Sequence, residues 1–183
     1  MADPVIDGNL AEVSGLAPLR CSDRVHLFPP DAPWKGPEDL SVEAWFAWNE
    51  KGLYFAARVR DDKHCVSGEQ PDSVLFSFDW EGWADDGYDE NCREVGLADG
   101  EGGPYAWMVQ KGTEPVPLVP APVVRRIGSE TIYEAFFPWR NLKIPEPKAG
   151  KIISANFVVN DNDGSGGKFR MGFAPAAASP ECL

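Results

Sequence analysis

The sequence lacks the features that identify a membrane protein, a zinc-binding domain or a nucleic-acid-binding protein. No run approaches the roughly 20 apolar residues that a membrane span requires. Two histidines accompany four scattered cysteines without any Cys-x-x-Cys pair, which argues against a zinc site. Lys and Arg number 17 against 29 Asp and Glu, a formal net charge of -12, and no basic stripe interrupts this balance. We therefore expect neither nucleic acid nor a membrane as a partner.

The sequence also lacks any segment that reads as a helix of three turns or more, and it contains no internal repeat. Its 18 glycines, 17 prolines and 7 tryptophans favour short strands joined by turns. At 183 residues the chain suits one domain with a core that needs no metal or disulfide support. The N-terminal MADPVIDG has no signal-peptide pattern, which leaves a cytosolic protein or a mature or excised domain. The cysteines permit disulfides but do not require them.

The clearest structural pattern lies at residues 42–59, VEAWFAWNEKGLYFAARV. Apolar residues alternate with other residues on both sides of Asn-Glu-Lys-Gly, which predicts a β-hairpin. Asn49 can open the turn with its side chain, and Gly52 stands where such a loop usually needs a positive φ. One face of the ribbon is apolar and must pack against a second layer. The other face carries Trp45 and Tyr54, which we expect the proline-rich segment at 18–37 to cover.

The same alternation predicts further strands separated by turn signals. About nine or more strands with little helix are typical of an all-β fold, an antiparallel β-sandwich of two packed sheets. We expect residues 1–183 to form a single domain. Within it, residues 1–41 form an N-terminal strand and a proline-rich wrap, and residues 174–183 form an irregular tail. The further strands are predicted at 73–79, 94–98, 105–109, 123–126, 131–137, 152–159 and 168–173.

Five motifs resemble those of the family 9 carbohydrate-binding modules, the sandwich domains attached to xylanases and other secreted polysaccharide-degrading enzymes. They are PVIDGNLAE, WNEKGLYFAARVRDD, PDSVLFSFD, YEAFFPWRNL and FVVNDND, in that order from about Pro4 to Phe173. The resemblance implies a noncatalytic module that binds a saccharide or polysaccharide. It also implies an extracellular or periplasmic location and a catalytic domain in the same parent chain.

At the sugar site the chain departs from this family. Family members hold a sugar ring between two tryptophans, and the first of these corresponds to Glu69 here. The family's glutamate and arginine fall at Leu75 and Gly96, and the segment that carries its second tryptophan reads APAAASPECL. Only Arg170, in KFRMG, stands where the family has an arginine. The resemblance therefore implies the scaffold and leaves the ligand-binding residues to be found.

Sugar recognition needs a flat aromatic face together with carboxylate, amide or guanidinium groups that bond several hydroxyls. Trp80 and Trp83 lie three residues apart in an acidic segment, WEGWADDGYDENCR, and Trp107 lies on a glycine-flanked strand. An alternative interpretation is that a loop tryptophan plugs an edge of the sandwich. Trp107 has a similar structural alternative. The candidate ligand-binding residues are Arg170, Trp80, Trp83, Trp107 and Glu69.

We predict no catalytic residues and no metal-ligating residues. A glycosidase needs two carboxyls roughly 5–9.5 Å apart, which spacing along so acidic a sequence cannot select. His64 and Cys65 are adjacent, and neighbours on a strand would point to opposite faces. The segment NDNDGSGG fails as an EF-hand, because Val159 and Arg170 would fall on the first and last ligand positions. No cofactor is required, and structural calcium in the acidic loops is what the resemblance implies.

A second functional hypothesis stays open at this stage. The domain keeps the scaffold, has lost the sugar site, and docks on a neighbouring domain through the face that carries Trp45. It predicts a large exposed apolar patch on that face.

Overall fold

The computed structural model describes residues 1–67, 70–82, 89–145, 147–164 and 168–173. Its helical segments in these ranges are short 3₁₀ turns at Leu10–Val13 and Arg24–His26. No helix there has the length and hydropathy needed to cross a bilayer. The strands are β1 Leu19–Cys21, β2 Leu27–Phe28, β3 Leu40–Asn49, β4 Gly52–Asp61, β5 Ser73–Asp79, β6 Cys92–Ala98, β7 Tyr105–Val109, β8 Val116–Leu118, β9 Val123–Ile127, β10 Glu130–Pro138, β11 Ser154–Asn162 and β12 Lys168–Gly172.

The strands form two antiparallel sheets that pack face to face, which confirms the predicted β-sandwich. One sheet has five strands in the order β1-β3-β4-β10-β9. The other has seven strands in the order β2-β12-β11-β5-β6-β7-β8. Phe55 on β4 and Phe76 on β5 meet between the sheets, with ring centroids 4.3 Å apart and planes 19° apart. Each such buried side chain contributes roughly 1.5–3 kcal/mol, so this shared core holds the layers together.

The predicted hairpin consists of β3 and β4. The face that was predicted to be apolar packs into the core. Asn49 Oδ1 accepts hydrogen bonds from the backbone N–H groups of Lys51 and Gly52 at 2.8 and 3.2 Å, which confirms its role in the turn. The reason expected for Gly52 is wrong, because this residue lies on β4 and is paired with Asn49. A Cβ atom at Gly52 would lie 2.3 Å from the carbonyl oxygen of Phe137. Close approach of β10 therefore requires the glycine.

An N-terminal strap, which we define as residues 4–16, covers the outer surface of the five-stranded sheet. Its side chains Ile6, Leu10 and Val13 belong to the cluster that contains Trp45 and Tyr54. The indole Nε1 of Trp45 also donates to the carbonyl of Leu16 at 3.1 Å. The strap takes the place that we predicted for the proline-rich segment. The chain itself thus covers the face that the docking hypothesis needs.

The strand ends and the shortest strands differ from the sequence prediction. β1, β2 and β8 contain two or three residues each, too few for the alternation to be visible. The N-terminal strand predicted within residues 1–41 does not begin at residues 5–8, whose sequence favours a short strand and a tight turn, because these residues belong to no strand. β11 begins at Ser154 and continues to Asn162, three residues beyond the predicted end. This extension matters for function, because it turns Asp161 toward the space between the sheets.

Candidate functional site

The surface of the seven-stranded sheet that faces away from the core carries most of the predicted ligand-binding residues that the structure describes. We call it the outer face. Phe169 and Met171 of β12 belong to the core, so the residue between them, Arg170, points to the outer face. The same alternation places Trp107 of β7 there, because Ala106 and Met108 are core residues. Arg170 and Trp107 are four strand spacings apart, about 19 Å.

The indole of Trp107 lies against the backbone of the neighbouring strand β6. Trp107 is paired with Gly96, and a Cβ atom at Gly96 would lie 2.1 Å from Cζ2 of the indole. Any larger residue at this position would push the ring away from the sheet. Trp107 is only partly buried, unlike the core residues on either side of it. Because Gly96 has no side chain, the accessible indole of Trp107 can lie against the outer face.

Tyr105 extends this aromatic surface along β7. Its ring centroid lies 5.5 Å from that of Trp107, with the planes 29° apart, and 42% of the residue is exposed. The two residues share a face because they are two positions apart on one strand. Together they offer a continuous aromatic surface of the kind that stacks on the C–H side of a sugar ring.

Polar groups flank the middle of the outer face. Asn160 is paired with Arg170 on one side and with Ser73 on the other, and its Nδ2 donates to Ser73 Oγ at 2.9 Å. Its Oδ1 is buried without a hydrogen-bond partner among the described residues. Leu75 and Val158, both buried, form an apolar strip beside these polar residues. The face thus combines aromatic, amide, guanidinium and hydroxyl groups.

Glu94 is the buried carboxylate of the outer face. It lies on β6, opposite Ser77 and Val109, and is 3% exposed. Burial raises the pKa of Glu94 to about 7, and the positive charge of Arg170 partly opposes this shift. The electrostatic influence of Arg170 therefore reaches from β12 across the face to β6. A carboxyl that titrates near neutrality can donate or accept a hydrogen bond there.

Trp80 does not join this surface. Trp80 packs partly buried against the core, 6.1 Å from the ring of Trp139, with the Lys151 ammonium 5.6 Å from its own ring. This position is the one that the alternative interpretation, a plug at the sandwich edge, describes, and the ligand-binding role of Trp80 stays a prediction. Trp83 and Glu69 lie outside the described residues.

Three outer-face residues were not predicted from the sequence, namely Tyr105, Asn160 and Glu94. Tyr105 could have been found, because it shares the alternation of Trp107 on the same predicted strand. Asn160 was assigned to a loop, so its face could not be inferred. Glu94 gave no signal, because only strand order shows that it shares a surface with Arg170.

A second cluster of polar residues closes one end of the sandwich. We call it the acid cluster: Asp61, Asp161 and Asp163 with the neighbouring Asp39, Asp62, Asp72 and His64. Asp61 is the last residue of β4, and Asp161 lies near the end of β11. Carboxylate oxygens of Asp61, Asp161 and Asp163 all lie within 4.8 Å of one another. No metal ligand was predicted from the sequence, although the Asp-Asp and Asn-Asp repeats at two strand ends supply most of this set.

The acid cluster has the properties of a cation site. Asp161 and Asp163 are 4% and 8% exposed, and Oδ1 of each is buried without a hydrogen-bond partner among the described residues. Burial raises the pKa of Asp161 to about 8, and the negative charges of Asp61, Asp72 and Asp163 add to the shift. Burial also raises the pKa of Asp61 and of Asp163. Such oxygens suit a hard divalent cation, which would compensate the buried negative charge.

Arg126, Lys35 and His64 already contact carboxylates of the acid cluster. Arg126 Nη1 donates to Asp61 Oδ2 at 3.2 Å, and Lys35 Nζ lies 3.4 Å from Asp39 Oδ1. His64 Nδ1 is 2.9 Å from Asp72 Oδ2. The unpartnered oxygens of Asp161 and Asp163 are therefore the part of the cluster that fits an ion.

The histidine and the thiols show no nucleophilic arrangement in the described ranges. His64 contacts Asp72, and the neighbouring Cys65 thiol donates to the carbonyl of Ser67 at 3.3 Å. Burial raises the pKa of Cys21 to about 12 and that of Cys92 to about 11, which suppresses the reactive thiolate.

Comparison with known proteins gives matches at the level of structure. No family model matches the sequence, and no curated protein matches it. A family 9 carbohydrate-binding module from Caldicellulosiruptor kristjanssonii, solved in complex with glucose, matches with a TM-score of 0.59 at 17% identity, over 93% of this chain and 81% of that chain. A structure of a family 9 module from the same organism with cellotriose matches with a TM-score of 0.59 at 16% identity, over 93% and 80%.

A third solved structure, of a protein from Bacteroides uniformis ATCC 8492, matches with a TM-score of 0.54 at 12% identity, over 90% of this chain and 81% of that chain. At these identities the likeness concerns the fold. The chain has the fold of the family 9 carbohydrate-binding modules, as its five motifs implied. The ligand depends on the residues of the outer face, because a fold hosts a function only through its site.

Proposed function

We propose that the protein is a noncatalytic carbohydrate-binding module that holds a saccharide on its outer face. Trp107 and Tyr105 stack on the apolar side of a sugar ring. Arg170, Asn160 and Glu94 bond hydroxyls along the saccharide, with Arg170 about 19 Å from Trp107. Two similar structures were solved with glucose and with cellotriose, which supports a saccharide ligand.

The observation that carries this proposal is the position of Trp107. A tryptophan that served only to fill the core would point between the sheets, but this one points away and lies over a glycine. It shares its surface with the guanidinium group of Arg170 and with the amide group of Asn160. A flat ring on a surface that also carries amide and guanidinium groups is the combination that saccharide binding needs.

The test is titration of the folded protein with glucose, cellotriose and soluble glucan, xylan and mannan, read by tryptophan fluorescence and calorimetry. We expect saturable binding of at least one of these glycans. Trp107→Ala should weaken it by about tenfold or more, equivalent to about 1.4 kcal/mol. Trp48→Ala is the matched control, because Trp48 is 44% exposed on the other sheet.

A second pair of variants separates the role of charge from that of folding. Arg170→Ala should weaken binding, and Arg140→Ala, at an exposed turn position, should leave it unchanged. Absence of any response to the whole glycan panel, with the folded state verified by circular dichroism, would contradict the proposal.

We also propose that the acid cluster holds a structural calcium ion. Asp61, Asp161 and Asp163 would supply carboxylate ligands, the oxygen donors that calcium prefers. The ion's charge would stabilise the end of the sandwich at which β4, β5 and β11 meet. Its role is structural, and the outer face binds sugar with protein groups.

We further propose that the domain works outside the cytoplasm within a larger carbohydrate-active protein. The support is its motif resemblance to modules of secreted enzymes. The described cysteines Cys21, Cys65 and Cys92 are free thiols, so the sandwich needs no disulfide among them in either compartment. Fractionation of the source cells, with detection of the domain and of its parent chain by antibody, tests both points.

A further inference from the structure

We propose that the cleft beside Tyr105 is a second saccharide subsite, so that the protein favours a neutral oligosaccharide chain over a single sugar unit. This inference rests on the proposed function of the outer face and defines the class of ligand. The cleft has a volume of about 580 Å³, within the range of ligand sites in proteins. Val66, Ser67 and Pro71 form one wall, and residues 100–105 form the other.

Tyr105 connects this cleft to the outer face. Its ring packs on Trp107, 5.5 Å away, and the same residue lines the cleft. The exposed 42% of Tyr105 therefore serves as an aromatic surface on the boundary between the two regions. A saccharide chain that lies along the outer face over Trp107 would continue past Tyr105 into the cleft. The two regions form a continuous path.

Hydrogen bonds within the protein preform the glycine-rich wall of the cleft. The N–H of Gly103 donates to the carbonyl of Gly100 at 2.9 Å, and the N–H of Gly100 donates to Asp99 Oδ1 at 3.0 Å. A Cβ atom at Gly100 would lie 3.1 Å from Cε1 of Tyr105, so the glycine lets the ring approach the loop. This wall needs little reorganisation when a ligand enters.

The opposite wall is fixed at its base by Asp72. The N–H of Cys65 donates to Asp72 Oδ2 at 2.6 Å, and the N–H of Asp72 donates to the carbonyl of Cys65 at 2.8 Å. This reciprocal pair closes the segment that carries Val66, Ser67 and Pro71. The two ends of this segment are thus tied together before any ligand binds, which lowers the entropy lost on binding.

The groups that line the cleft favour an uncharged sugar. Val66, Pro71 and Tyr105 offer apolar surface, while Ser67 and the exposed carboxylate Glu101 offer hydrogen bonds to hydroxyl groups. No Lys, Arg or His occurs among the described residues that line it. Together with a net charge of -12, Glu101 disfavours uronic acids and other anionic sugars.

The test is calorimetry on the full chain with glucose, cellotriose and cellohexaose, and with xylose, xylotriose and xylohexaose. We expect the hexasaccharide of at least one series to bind about tenfold or more tightly than its trisaccharide. The additional binding registers of a longer chain account for only a few-fold gain. Tyr105→Ala should abolish this length preference. Ser67→Trp, which fills the cleft without altering Tyr105, should do the same, and Trp48→Ala should preserve it.

The outcomes distinguish the subsite from the outer face. Equal affinity for trisaccharide and hexasaccharide overturns the subsite and leaves the proposed function standing. Tighter binding of trigalacturonate than of the neutral sugars overturns the choice of an uncharged ligand. Failure of every sugar to bind overturns the proposed function and the subsite together. Preservation of the length preference in both cleft variants also overturns the subsite.

Discussion

Gly96 is the residue on which the shape of the outer face depends. Its missing side chain leaves the space that the Trp107 indole occupies, with three ring atoms within 2.5 Å of the position where a Cβ would stand. Gly96→Ala should displace the ring, because the backbone of β6 cannot withdraw without breaking its pairing with β5 and β7. We expect a destabilisation of about 1–3 kcal/mol and loss of most saccharide affinity. Urea denaturation and sugar calorimetry measure the two effects.

The matched control for this change is Gly15→Ala. An added Cβ at Gly15 meets no atom within 4 Å, so both stability and affinity should stay close to those of the parent protein. Unaltered sugar binding in the folded Gly96→Ala variant would show that the position of the Trp107 ring does not matter for recognition.

The buried carboxyl of Glu94 should make the free energy of unfolding depend on pH. Burial raises its pKa from 4.5 to about 7, so the folded state binds more protons than the unfolded state between these values. The contribution of this group to the free energy of unfolding is therefore complete below pH 4.5 and is lost as the pH rises to 7, by up to about 3 kcal/mol. Glu94→Gln should remove this decline.

The measurement is urea denaturation of the parent protein and the variant across this pH range. The difference between them should grow in favour of Glu94→Gln up to neutral pH and then stay constant. Glu101→Gln, at an exposed position, should give no such trend. A constant difference between parent and Glu94→Gln would mean that Glu94 is ionised throughout the range.

At the scale of elements, the N-terminal strap depends on one buried side chain. Glu134 Oε2 accepts from the N–H groups of Asp7 and Gly8 at 2.9 and 2.7 Å, and Oε1 accepts from the Tyr54 hydroxyl at 2.6 Å. Glu134→Ala leaves these donors without their acceptor, so we expect a loss of about 2–4 kcal/mol in the free energy of unfolding. Limited proteolysis should then cut within the strap.

Glu130 provides the comparison, since it lies on the same strand with its side chain 45% exposed. Glu130→Ala should change stability by less than about 0.5 kcal/mol. Equal stability of the two variants would show that the strap is held by its apolar contacts with Trp45 alone.

At the ends of β4 and β11, the opposite effect is expected: replacing the buried carboxyl of Asp161 should stabilise the protein. Without an ion, its buried carboxyl faces other acids, so Asp161→Asn should raise the free energy of unfolding in EGTA by about 2 kcal/mol. With calcium, the parent protein should gain stability and the variant should not. Thermal denaturation in calcium and in EGTA tests both.

Asp3→Asn, an exposed substitution, should respond to calcium as the parent does. A variant less stable than the parent in EGTA would contradict this electrostatic account.

The elements that sequence predicts best are those whose side chains alternate over many residues. The β3–β4 hairpin and β5 were predicted with their faces, because a wrong face would bury charge. Trp107 and Arg170 were predicted as ligand-binding residues, but their common surface depends on strand order, which pairs residues distant in sequence. Gly52 was predicted for its conformation, whereas its real requirement is contact with β10, which the hairpin alone does not reveal.

At the scale of the whole molecule, one end of the sandwich joins the two proposed sites. Asp61 and Asp72 lie at the two ends of the connection from β4 to β5, which carries the cleft wall at Val66, Ser67 and Pro71. Asp72 Oδ1 accepts from the N–H of Asn162, next to Asp161 and Asp163, at 2.8 Å. The Lys63 ammonium donates to the carbonyl of Asp163. The acid cluster therefore sets the position of the wall against which the further units of a long oligosaccharide would lie.

This connection predicts that calcium and a long oligosaccharide bind cooperatively. An ion between Asp61 and Asp161 would fix both ends of the cleft wall, so cellohexaose should bind about fivefold or more tightly in calcium than in EGTA. Cellotriose, held on the outer face, should change less. Since linkage is reciprocal, cellohexaose should raise the calcium affinity by the same factor, which calorimetry in both orders of addition measures. Asp161→Asn should remove the coupling while keeping cellotriose binding. Equal cellohexaose affinity with and without calcium, in a protein that demonstrably binds the ion, would confine the acid cluster to stabilising the fold.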